Sequence, residues 1–431
     1  MKSRPPLPPG PYLVVGLARS GEAAALALRA LGERVIGIDA GSADPALQAV
    51  AERLSRAGVE VHLDVSDPAD DALREARAVV KSPGVPPGAP PVVAAERRGI
   101  PVLGELELAW RLLANEFVAV TGTNGKTTTT EWIGHIHREA GLPVAVAGNV
   151  GTAASSLVGQ VAPAATIICE ASSFQLEDSQ AFAPEVALLL NLAEDHLDRH
   201  GGFGAYVEAK LRIFAHQSPD DVALLPEGLA VEPGGAARQV RFGSGQEAEL
   251  AEQVQLPWAH NRFNGMAAAA VCLARGLDPE AIARGLSTFS GVAHRLERVA
   301  TIDDVDWIND SKATNVDSTL VALQAFPRGV HLIAGGQGKG QEFAPLAPLV
   351  AERCRAVYLI GQAAEDIARA LAGTAVPLHQ AGELEPAVAA AGRAARPGDT
   401  VLLSPACASY DQYRDFEERG EHFRSLVKER S

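Results

Sequence analysis

Short apolar runs alternate along the chain with longer stretches whose apolar residues recur at helical spacing. The runs at 12–16, 34–39, 117–121 and 166–169 hold four to six residues each and end at or beside a glycine or a polar residue. Apolar strands that alternate with helices are typical of a mostly parallel sheet that is covered on both faces. The pattern therefore predicts an α/β protein.

The pattern falls into several blocks. At a usual size of about 150 residues per domain, a chain of 431 residues indicates roughly three domains. A Pro-rich stretch at 83–91 precedes the first boundary, and Ser290-Gly-Val-Ala-His-Arg295 resembles a hinge. A poorly periodic patch at 218–257 predicts β-rich or loop structure at the periphery of the second block. We expect domains at 1–104, 105–291 and 292–431.

One loop between an apolar strand and a Thr-rich helix start has the composition of a phosphate cradle. In Thr121-Gly-Thr-Asn-Gly-Lys-Thr127, the backbone N–H groups of the turn and of the helix N-terminus would point at one anion. Lys126 would add a positive charge, and Thr127 would face a Mg²⁺ that bridges the phosphates. Val120 stands where the general nucleotide-loop pattern has Gly, so the loop is a shortened variant, and the alternative is a glycine turn with a chance Lys-Thr. The residues expected to hold the phosphates of a nucleoside triphosphate are Gly122, Thr123, Asn124, Gly125, Lys126, Thr127 and Thr128.

Composition limits the partners. The net charge of −15 argues against binding to nucleic acid or to an anionic membrane, so an anionic substrate requires local cations. The N-terminus lacks the apolar segment of a secretory signal, and we expect a cytoplasmic protein. The four cysteines are far apart, which argues against disulfides and a zinc site. We expect a monomer.

Lysine is rare, since only seven of the 38 basic residues are Lys. Lysine fits a tight phosphate loop and can react as a neutral amine, whereas arginine stays charged. Four of the seven, Lys126, Lys210, Lys312 and Lys339, fall in the candidate functional motifs. Lys210 is either a solvated helix lysine or an amine that CO₂ converts to a carbamate, an anionic oxygen ligand.

Two strand ends after the cradle carry metal-binding side-chain types. Glu170 follows the buried run 166–169 and is a hard oxygen ligand suited to Mg²⁺, the alternative being an exposed strand-end carboxylate. His196 follows a second strand, and metal binding and a structural role remain open for it. Two metal ions would account for the crowding of Glu170 and His196.

Three polar loops follow strands in the third block. Asp310-Ser-Lys-Ala-Thr314, Gly335-Gly-Gln-Gly-Lys339 and Ser404-Pro-Ala-Cys-Ala-Ser409 would converge on one crevice if the strands are parallel. Asp310 would bind ribose or magnesium, Lys312 the γ-phosphate and Thr314 a substrate carboxylate. A nucleophilic role for Cys407 lacks a fitted histidine partner nearby in sequence.

These motifs, in this order, resemble the ATP-dependent Mur ligases of peptidoglycan synthesis. The cradle is common to the wider superfamily, which includes folylpolyglutamate synthetase. Three further motifs are similar to the branch that adds D-glutamate: Glu170-Ala-Ser-Ser-Phe-Gln-Leu-Glu177, Asn309-Asp-Ser-Lys-Ala-Thr-Asn315 and Leu403-Ser-Pro-Ala-Cys-Ala-Ser-Tyr-Asp-Gln412. The resemblance implies Rossmann-like first and third domains and a P-loop NTPase-like central domain.

The resemblance also implies a reaction. ATP would phosphorylate the carboxylate of UDP-N-acetylmuramoyl-L-alanine, and the amine of D-glutamate would attack the acyl phosphate to give an amide, ADP and phosphate. A carboxylate does not acylate an amine until it carries a leaving group, and charge on the transferred phosphoryl group calls for Mg²⁺ and Lys126.

Site residues follow from the matching positions. The resemblance implies that Glu170, His196 and the carbamate of Lys210 bind two Mg²⁺ ions with Thr127, and that Lys126, Glu170, His196 and Lys210 are catalytic. Adenine, ribose and phosphates would meet Asn261, Asn264, Arg295, Asp310 and Lys312. The substrates would meet Ser20, Asp39, Gly84, Asn149, Ser172 and His294, with D-glutamate at Thr314, Lys339, Ser409 and the backbone of Phe416.

Departures from the family pattern leave alternatives. Gln337 stands where the family commonly has an acid, and Ala18 and Arg19 make the uridine contacts less certain than the catalytic ones. One alternative is a related ligase with a different acceptor amino acid. The other is a nucleotide-dependent switch that performs no ligation.

Overall fold

The computed structural model describes residues 2–42, 45–65, 71–149, 151–193, 195–256, 259–338 and 341–430. The chain divides into two compact units, Met1–Phe289 and Ser290–Ser431. In the described part of the chain, no helix combines the length and the apolar character that a membrane span requires.

The first unit begins with a parallel sheet. Its strand order is β3-β2-β1-β4-β5. The strands are β1 (Tyr12–Val15), β2 (Val35–Ile38), β3 (Glu60–His62), β4 (Ala78–Lys81) and β5 (Val102–Gly104). Leu13 and Val15 face one apolar cluster while Tyr12 and Val14 face another, so this sheet is covered on both sides. The helices are α1 (Arg19–Ala30), α2 (Pro45–Arg56), α3 (Asp71–Glu75), α4 (Pro90–Arg97) and α5 (Glu105–Leu112).

A second parallel sheet follows within the same unit, in the order β11-β10-β9-β6-β8-β7. The strands are β6 (Phe117–Thr121), β7 (Val144–Gly148), β8 (Thr166–Glu170), β9 (Val186–Leu189), β10 (Val222–Pro226) and β11 (Arg238–Phe242). The helices are α6 (Lys126–Glu139), α7 (Ser173–Glu177), α8 (Leu197–His200), α9 (Phe203–Ala215), α10 (Gln246–Leu250), α11 (Ala259–Ala274) and α12 (Pro279–Thr288). Strands β6, β8 and β9 are buried along their whole length, which explains why each is an unbroken apolar run in the sequence.

The second unit is built on a third sheet, in the order β12-β13-β17-β14-β15-β16. The strands are β12 (Glu297–Ile302), β13 (Val305–Asn309), β14 (Val330–Gly335), β15 (Cys354–Ile360), β16 (Leu378–Gly382) and β17 (Thr400–Leu403). The helices are α13 (Val316–Gln324), α14 (Ala347–Arg353), α15 (Ala364–Leu371), α16 (Leu384–Ala394) and α17 (Phe416–Lys428). Strand β12 pairs antiparallel with β13, and the other strand pairs are parallel.

The α/β architecture with mostly parallel sheets confirms the predicted fold class. The patch at 218–257 is β-rich, as expected, because it contains β10 and β11, and β11 is the edge strand of the second sheet. The expected peripheral place was wrong for β10, which is fully buried and pairs with β9 on one side and β11 on the other. The domain bounds expected from the sequence stay a prediction.

Candidate functional site

The cradle lies between β6 and α6, as its sequence predicts. Gly125 precedes α6 with φ +84°, a left-handed conformation that favours glycine. A side chain at this position would also collide with the carboxamide of Asn264, so α11 packs directly against the turn. The hydroxyl-bearing residues Thr127 and Thr128 begin the helix and are buried. The loop thus presents the start of α6 with little freedom of shape.

Asn191, at the end of β9, holds the outer side of this loop. Its Oδ1 accepts hydrogen bonds from the backbone N–H groups of Thr123 at 3.1 Å and Asn124 at 2.9 Å. Its Nδ2 donates to the backbone oxygen of Asn124 at 3.0 Å. The Thr123 hydroxyl meets the hydroxyl of Tyr206 at 3.0 Å and accepts from the N–H of Ala193. Asn191 and Tyr206 were not among the predicted site residues.

Two lysines from different helices donate to the same atom of the cradle. The Nζ of Lys126 lies 2.9 Å from the backbone oxygen of Gly122, and the Nζ of Lys210 lies 2.7 Å from it. Lys126 also donates to the backbone oxygen of Thr123 at 2.8 Å. The structure therefore brings together the two lysines that were predicted to be catalytic.

Lys210 is buried, with 1% of its surface exposed, so it is not a solvated helix lysine. Its Nζ lies 4.5 Å from the centre of the Tyr206 ring. Burial and then the positive charge of Lys126 lower the pKa of Lys210 to about 7, while Asp195 and Glu170 act in the opposite direction. A substantial share of this amine is neutral at physiological pH.

Glu170 ends β8 and is buried. Its Oε1 accepts from the Nδ2 of Asn149 at 3.2 Å, whereas its Oε2 is buried without a hydrogen-bond partner among the described residues. Gly148 has φ +124°, and a side chain there would strike the backbone of Glu170. Ser172 caps α7 through a reciprocal pair of hydrogen bonds with Gln175, so its hydroxyl has a structural role here.

His196 is a strained, exposed residue in the segment that follows β9. Its φ is +52°, its Nε2 lies 3.5 Å from the carboxylate of Asp195, and its ring centre lies 4.8 Å from that of Phe174. Within the described ranges, no group of three or more His, Cys, Asp or Glu side chains is arranged to hold a metal ion.

The predicted nucleotide residues of the first sheet lie beside β1 and β4. Ser20 is in the first turn of α1, and Gly84 is exposed in the turn after β4. Asp39 accepts from the backbone N–H of Leu17 at 2.7 Å and of Gly41 at 2.9 Å, so its carboxylate shapes the loop between β1 and α1. Asn261 and Asn264 are buried in the first turns of α11.

In the second unit, Asp310 directly follows β13 and is buried. One carboxylate oxygen accepts from the Ser404 hydroxyl at 2.8 Å, and the other accepts from the backbone N–H of Leu296 at 3.1 Å. Burial raises the pKa of Asp310 to about 7, against the lowering effect of the Ser404 hydrogen bond and of Arg295. Asp310 and Arg295, both predicted to meet the nucleotide, are thus close enough to interact.

His294 packs against α17. Its Nδ1 lies 3.0 Å from the Nδ2 of Asn309, its backbone oxygen accepts from the N–H of Lys312 at 3.0 Å, and its ring lies edge-on to Phe416. The Nζ of Lys312 lies 6.0 Å from the centre of the Phe416 ring. Burial lowers the pKa of His294, and Arg424 adds to this effect. His294, Lys312 and Phe416 therefore form one neighbourhood.

The three polar loops of the second unit do meet. The N–H of Gly335 donates to the oxygen of Pro405 at 2.8 Å, and the N–H of Gln337 donates to the oxygen of Ala408 at 2.9 Å. Thr314 is half-buried beside Lys312, and Ser409 is buried with its backbone oxygen bound by the N–H groups of Gln412 and Tyr413. Lys339 lies outside the described residues.

Arg419, which was not among the predicted site residues, connects two of these loops through hydrogen bonds. It is 1% exposed and donates to Ser311 Oγ at 3.0 Å and to the backbone oxygens of Ser311, Cys407 and Ala408 at 2.9, 3.1 and 3.4 Å. Burial lowers its pKa to about 10, so the guanidinium remains charged at neutral pH. Among the described residues its hydrogen-bond acceptors are all neutral. One arginine among 31 in the chain carried no signal of this role.

Replacing Asn191 by Ala should weaken nucleotide binding about tenfold. The substitution removes three side-chain hydrogen bonds to the cradle backbone, two from its N–H groups and one to the carbonyl oxygen of Asn124, at a net cost of about 1 kcal/mol or more. Titration with a non-hydrolysable ATP analogue measures the affinity. Asn191→Asp keeps the acceptor but brings a negative charge beside the phosphates, and we expect it to bind more weakly still. Affinities of both variants equal to the wild type would contradict this role.

Asp310→Asn should make stability less dependent on pH. Because the folded-state pKa of about 7 lies above the ordinary value of 3.8, Asp310 stabilises the fold at low pH, and this contribution is lost as the pH rises towards 7. The unfolding free energy of the variant should gain on that of the wild type by at most about 1.4 kcal/mol per pH unit over this range. Thermal melts at pH 5 and 7.5 test this, with exposed Asp317→Asn as the matched control. If the difference in stability between Asp310→Asn and the wild type were the same at both pH values, the raised pKa of Asp310 would be contradicted.

Comparison with known proteins identifies the family. The model of the Mur ligase middle domain matches residues 120–231, and that of the Mur ligase glutamate ligase domain matches residues 294–407. Proteins named UDP-N-acetylmuramoylalanine--D-glutamate ligase are 41% identical in Pelotomaculum thermopropionicum and 43% identical in Acidobacterium capsulatum. These matches cover 96% of this chain, and 96% and 95% of the relatives.

Solved structures agree on the fold. UDP-N-acetylmuramate-alanine ligase MurC from Thermotoga maritima is 18% identical with a TM-score of 0.60 and covers 97% of this chain and 99% of its own. MurF ligase from Thermotoga maritima in complex with ADP is 16% identical with a TM-score of 0.60, over 93% of this chain and 96% of its own. With relatives above 40% identity over nearly its full length, the chain belongs to the Mur ligase family.

Proposed function

We propose that the protein is an ATP-dependent, ADP-forming ligase that joins D-glutamate to UDP-N-acetylmuramoyl-L-alanine in peptidoglycan precursor synthesis in the cytoplasm. The observation that carries the proposal is the cradle at the end of β6, where Lys126 and Lys210 share the oxygen of Gly122. It supports ATP as the activating substrate, as does the ADP bound to the related MurF ligase. The names of the relatives support UDP-N-acetylmuramoylalanine and D-glutamate as the two substrates that are joined.

The reaction needs an activated carboxylate. The carboxylate of the alanine attacks the γ-phosphorus of ATP and ADP leaves. The amine of D-glutamate then attacks the acyl phosphate, loses a proton, and phosphate leaves as the amide forms. Lys126 is placed at the start of α6, where its charge and the helix dipole both stabilise the negative charge on the transferred phosphoryl group.

The residues around Glu170 fit Mg²⁺. A buried carboxylate oxygen without a partner among the described residues is a hard ligand in need of a cation, and Thr127 is a buried hydroxyl at the helix start. Two Mg²⁺ ions would be held by Thr127, Glu170, His196 and the carbamate of Lys210. When bound, the metal neutralises phosphate charge. Asn149 orients Glu170 through its hydrogen bond to Oε1.

Lys210 is suited to carbamylation. The neutral amine adds to the carbon of CO₂ and releases one proton, which leaves a carbamate anion in place of a cation. Burial and the adjacent charge of Lys126 favour the neutral amine, and the anion would relieve the repulsion between the two lysines. The carbamate is therefore proposed on the same physical ground that lowers the pKa.

The remaining roles stay with the residues expected from the sequence. The uridine nucleotide would be held near Ser20, Asp39 and Gly84. Asn261 and Asn264 of the first unit remain candidates for the adenosine, as do Arg295 and Asp310 of the second unit, and Lys312 remains the candidate for the phosphates. In the second unit, D-glutamate would be bound by Thr314, Ser409 and the backbone of Phe416, with Lys339. Ser172, at the start of α7, would help to hold the substrate near the reacting carboxylate. His294 would orient groups near the reaction. Arg419 supports the loops that carry Thr314 and Ser409.

Release of ADP tests the proposal. Purified protein is given ATP, Mg²⁺ and UDP-N-acetylmuramoyl-L-alanine, and amino acids are added one at a time. We expect ADP and a ligated product with D-glutamate, and neither with L-glutamate. A ligated product with another amino acid would indicate a ligase of different specificity. ATP turnover that is indifferent to every amino acid would indicate the nucleotide-dependent switch and would overturn the proposal.

Lys210→Arg should fold normally and lose most activity. Arginine keeps the positive charge but cannot lose its proton to react with CO₂, so we expect kcat to fall at least about 100-fold. A thermal melt checks the fold, and Lys428→Arg, at an exposed lysine of α17, is the matched control. If Lys210→Arg kept the wild-type rate, the carbamate would have to be abandoned.

A further inference from the structure

The ring of Phe174 lies at the centre of a cluster formed by the ring of His196, which precedes α8, and by the side chains of Arg199 and His200 in α8. Its centre lies 4.8 Å from that of the His196 ring and 5.4 Å from that of the His200 ring. The guanidinium carbon of Arg199 lies 4.5 Å from it. The position of Phe174 is fixed because Ser172 and Gln175 cap the helix that carries it, and because His200 bonds to the hydroxyl of Ser173 at 3.0 Å.

The far end of Arg199 reaches the other sheet of the first unit. Its Nη2 donates to the backbone oxygen of Val85 at 3.1 Å and is 3.4 Å from that of Pro83. These two residues flank Gly84, the turn after β4. Hydrogen bonds from a charged donor are stronger than those between neutral groups.

The same turn is bound by a second cation. The Nζ of Lys81 donates to the oxygen of Val85 at 2.8 Å and lies 2.7 Å from the carboxylate of Asp178, which follows α7. Lys81 is 1% exposed. Both ends of α7 are therefore connected to the turn, one through Phe174 and Arg199 and the other through Asp178 and Lys81.

We propose that Arg199 is a positioning residue that couples binding of the uridine nucleotide at the turn 83–85 to the placement of His196. This inference rests on the proposed function, in which the turn contacts the nucleotide and His196 binds metal. A shift of the turn moves the two carbonyl oxygens that hold the guanidinium. Because the guanidinium and the imidazole both pack on Phe174, the shift changes the surface on which His196 rests.

An arginine suits this position better than a lysine. The planar guanidinium can lie against an aromatic ring and donate to two oxygens at once, whereas an ammonium on a flexible stem does not combine the two contacts. The Nε of Arg199 is buried without a hydrogen-bond partner among the described residues, so the bonds to the turn are the ones that orient the group.

The test is a coupling measurement. Calorimetry gives the affinity for UDP-N-acetylmuramoyl-L-alanine with and without Mg²⁺ and a non-hydrolysable ATP analogue. In the wild type we expect the metal nucleotide to tighten substrate binding at least about fivefold, a size typical of coupled sites. In Arg199→Met this factor should fall to near one, while the affinity for the substrate alone changes less than the coupling. Arg199→Lys should be intermediate.

Arg212→Met is the matched control. Arg212 also donates to a backbone oxygen near α7, that of Glu177 at 2.7 Å, but this acceptor belongs neither to the turn nor to Phe174. We expect its coupling factor to equal that of the wild type. If Arg199→Met does not fold, as judged by its thermal melt, Arg199→Lys provides the comparison.

The outcomes separate two failures. A wild type that binds the substrate but shows no coupling, or coupling that survives unchanged in the Arg199 variants, would overturn the positioning role and leave the proposed function intact. A wild type that does not bind UDP-N-acetylmuramoyl-L-alanine would contradict the proposed function, and the positioning role with it.

Discussion

The shared oxygen of Gly122 sets the constraint on which the first unit depends. Two ammonium groups within 3 Å of one carbonyl oxygen repel each other, and burial leaves little water to reduce that repulsion. The arrangement is stable if one amine gives up its proton or if an anion lies beside both. The N-terminus of α6 adds a partial positive charge to the same region, and the buried side chain of Glu170 is a carboxylate that could offset it. The two lysines and the helix start together give this end of the sheet a local positive potential that would favour an anion.

Carboxylates that look like ligands in the sequence also build the loops. Asp39 holds two backbone amides at the edge of the first sheet, and Asp310 holds one amide and a hydroxyl in the second unit. A carboxylate that is already hydrogen-bonded to the protein has a fixed orientation, so it would need no reorganisation to accept a hydrogen bond from the proposed ribose. Structural and binding roles are therefore compatible in these two residues.

The sequence predicted what depends on local order along the chain. Buried parallel strands are unbroken apolar runs, and the residues that follow them meet at one edge, which is why the cradle, Glu170 and the three loops of the second unit could be found. Contacts between distant segments could not. Asn191, Tyr206, Arg199 and Arg419 act through partners that lie 67, 83, 114 and 108 positions away. The burial of β10 was not predicted, because it depends on the pairing of Val222 with Val186 of β9, a contact between distant segments.

The buried guanidinium of Arg419 has a consequence for how the protein meets its substrates. The chain carries a net charge of −15, so its outer surface repels small anions, a class that includes the substrates proposed above. At the ionic strength of a cell, dissolved salt largely screens interactions between exposed charges that are more than about 8 to 10 Å apart. It screens the interactions of a buried charge much less. Arg419 is buried beneath the loops and donates to neutral acceptors among the described residues, although the carboxylates of Asp411 and Asp310 also act on it. Salt therefore changes its local field little. The field of Arg419 at these loops is thus much less sensitive to salt than the repulsion of anions by the outer surface.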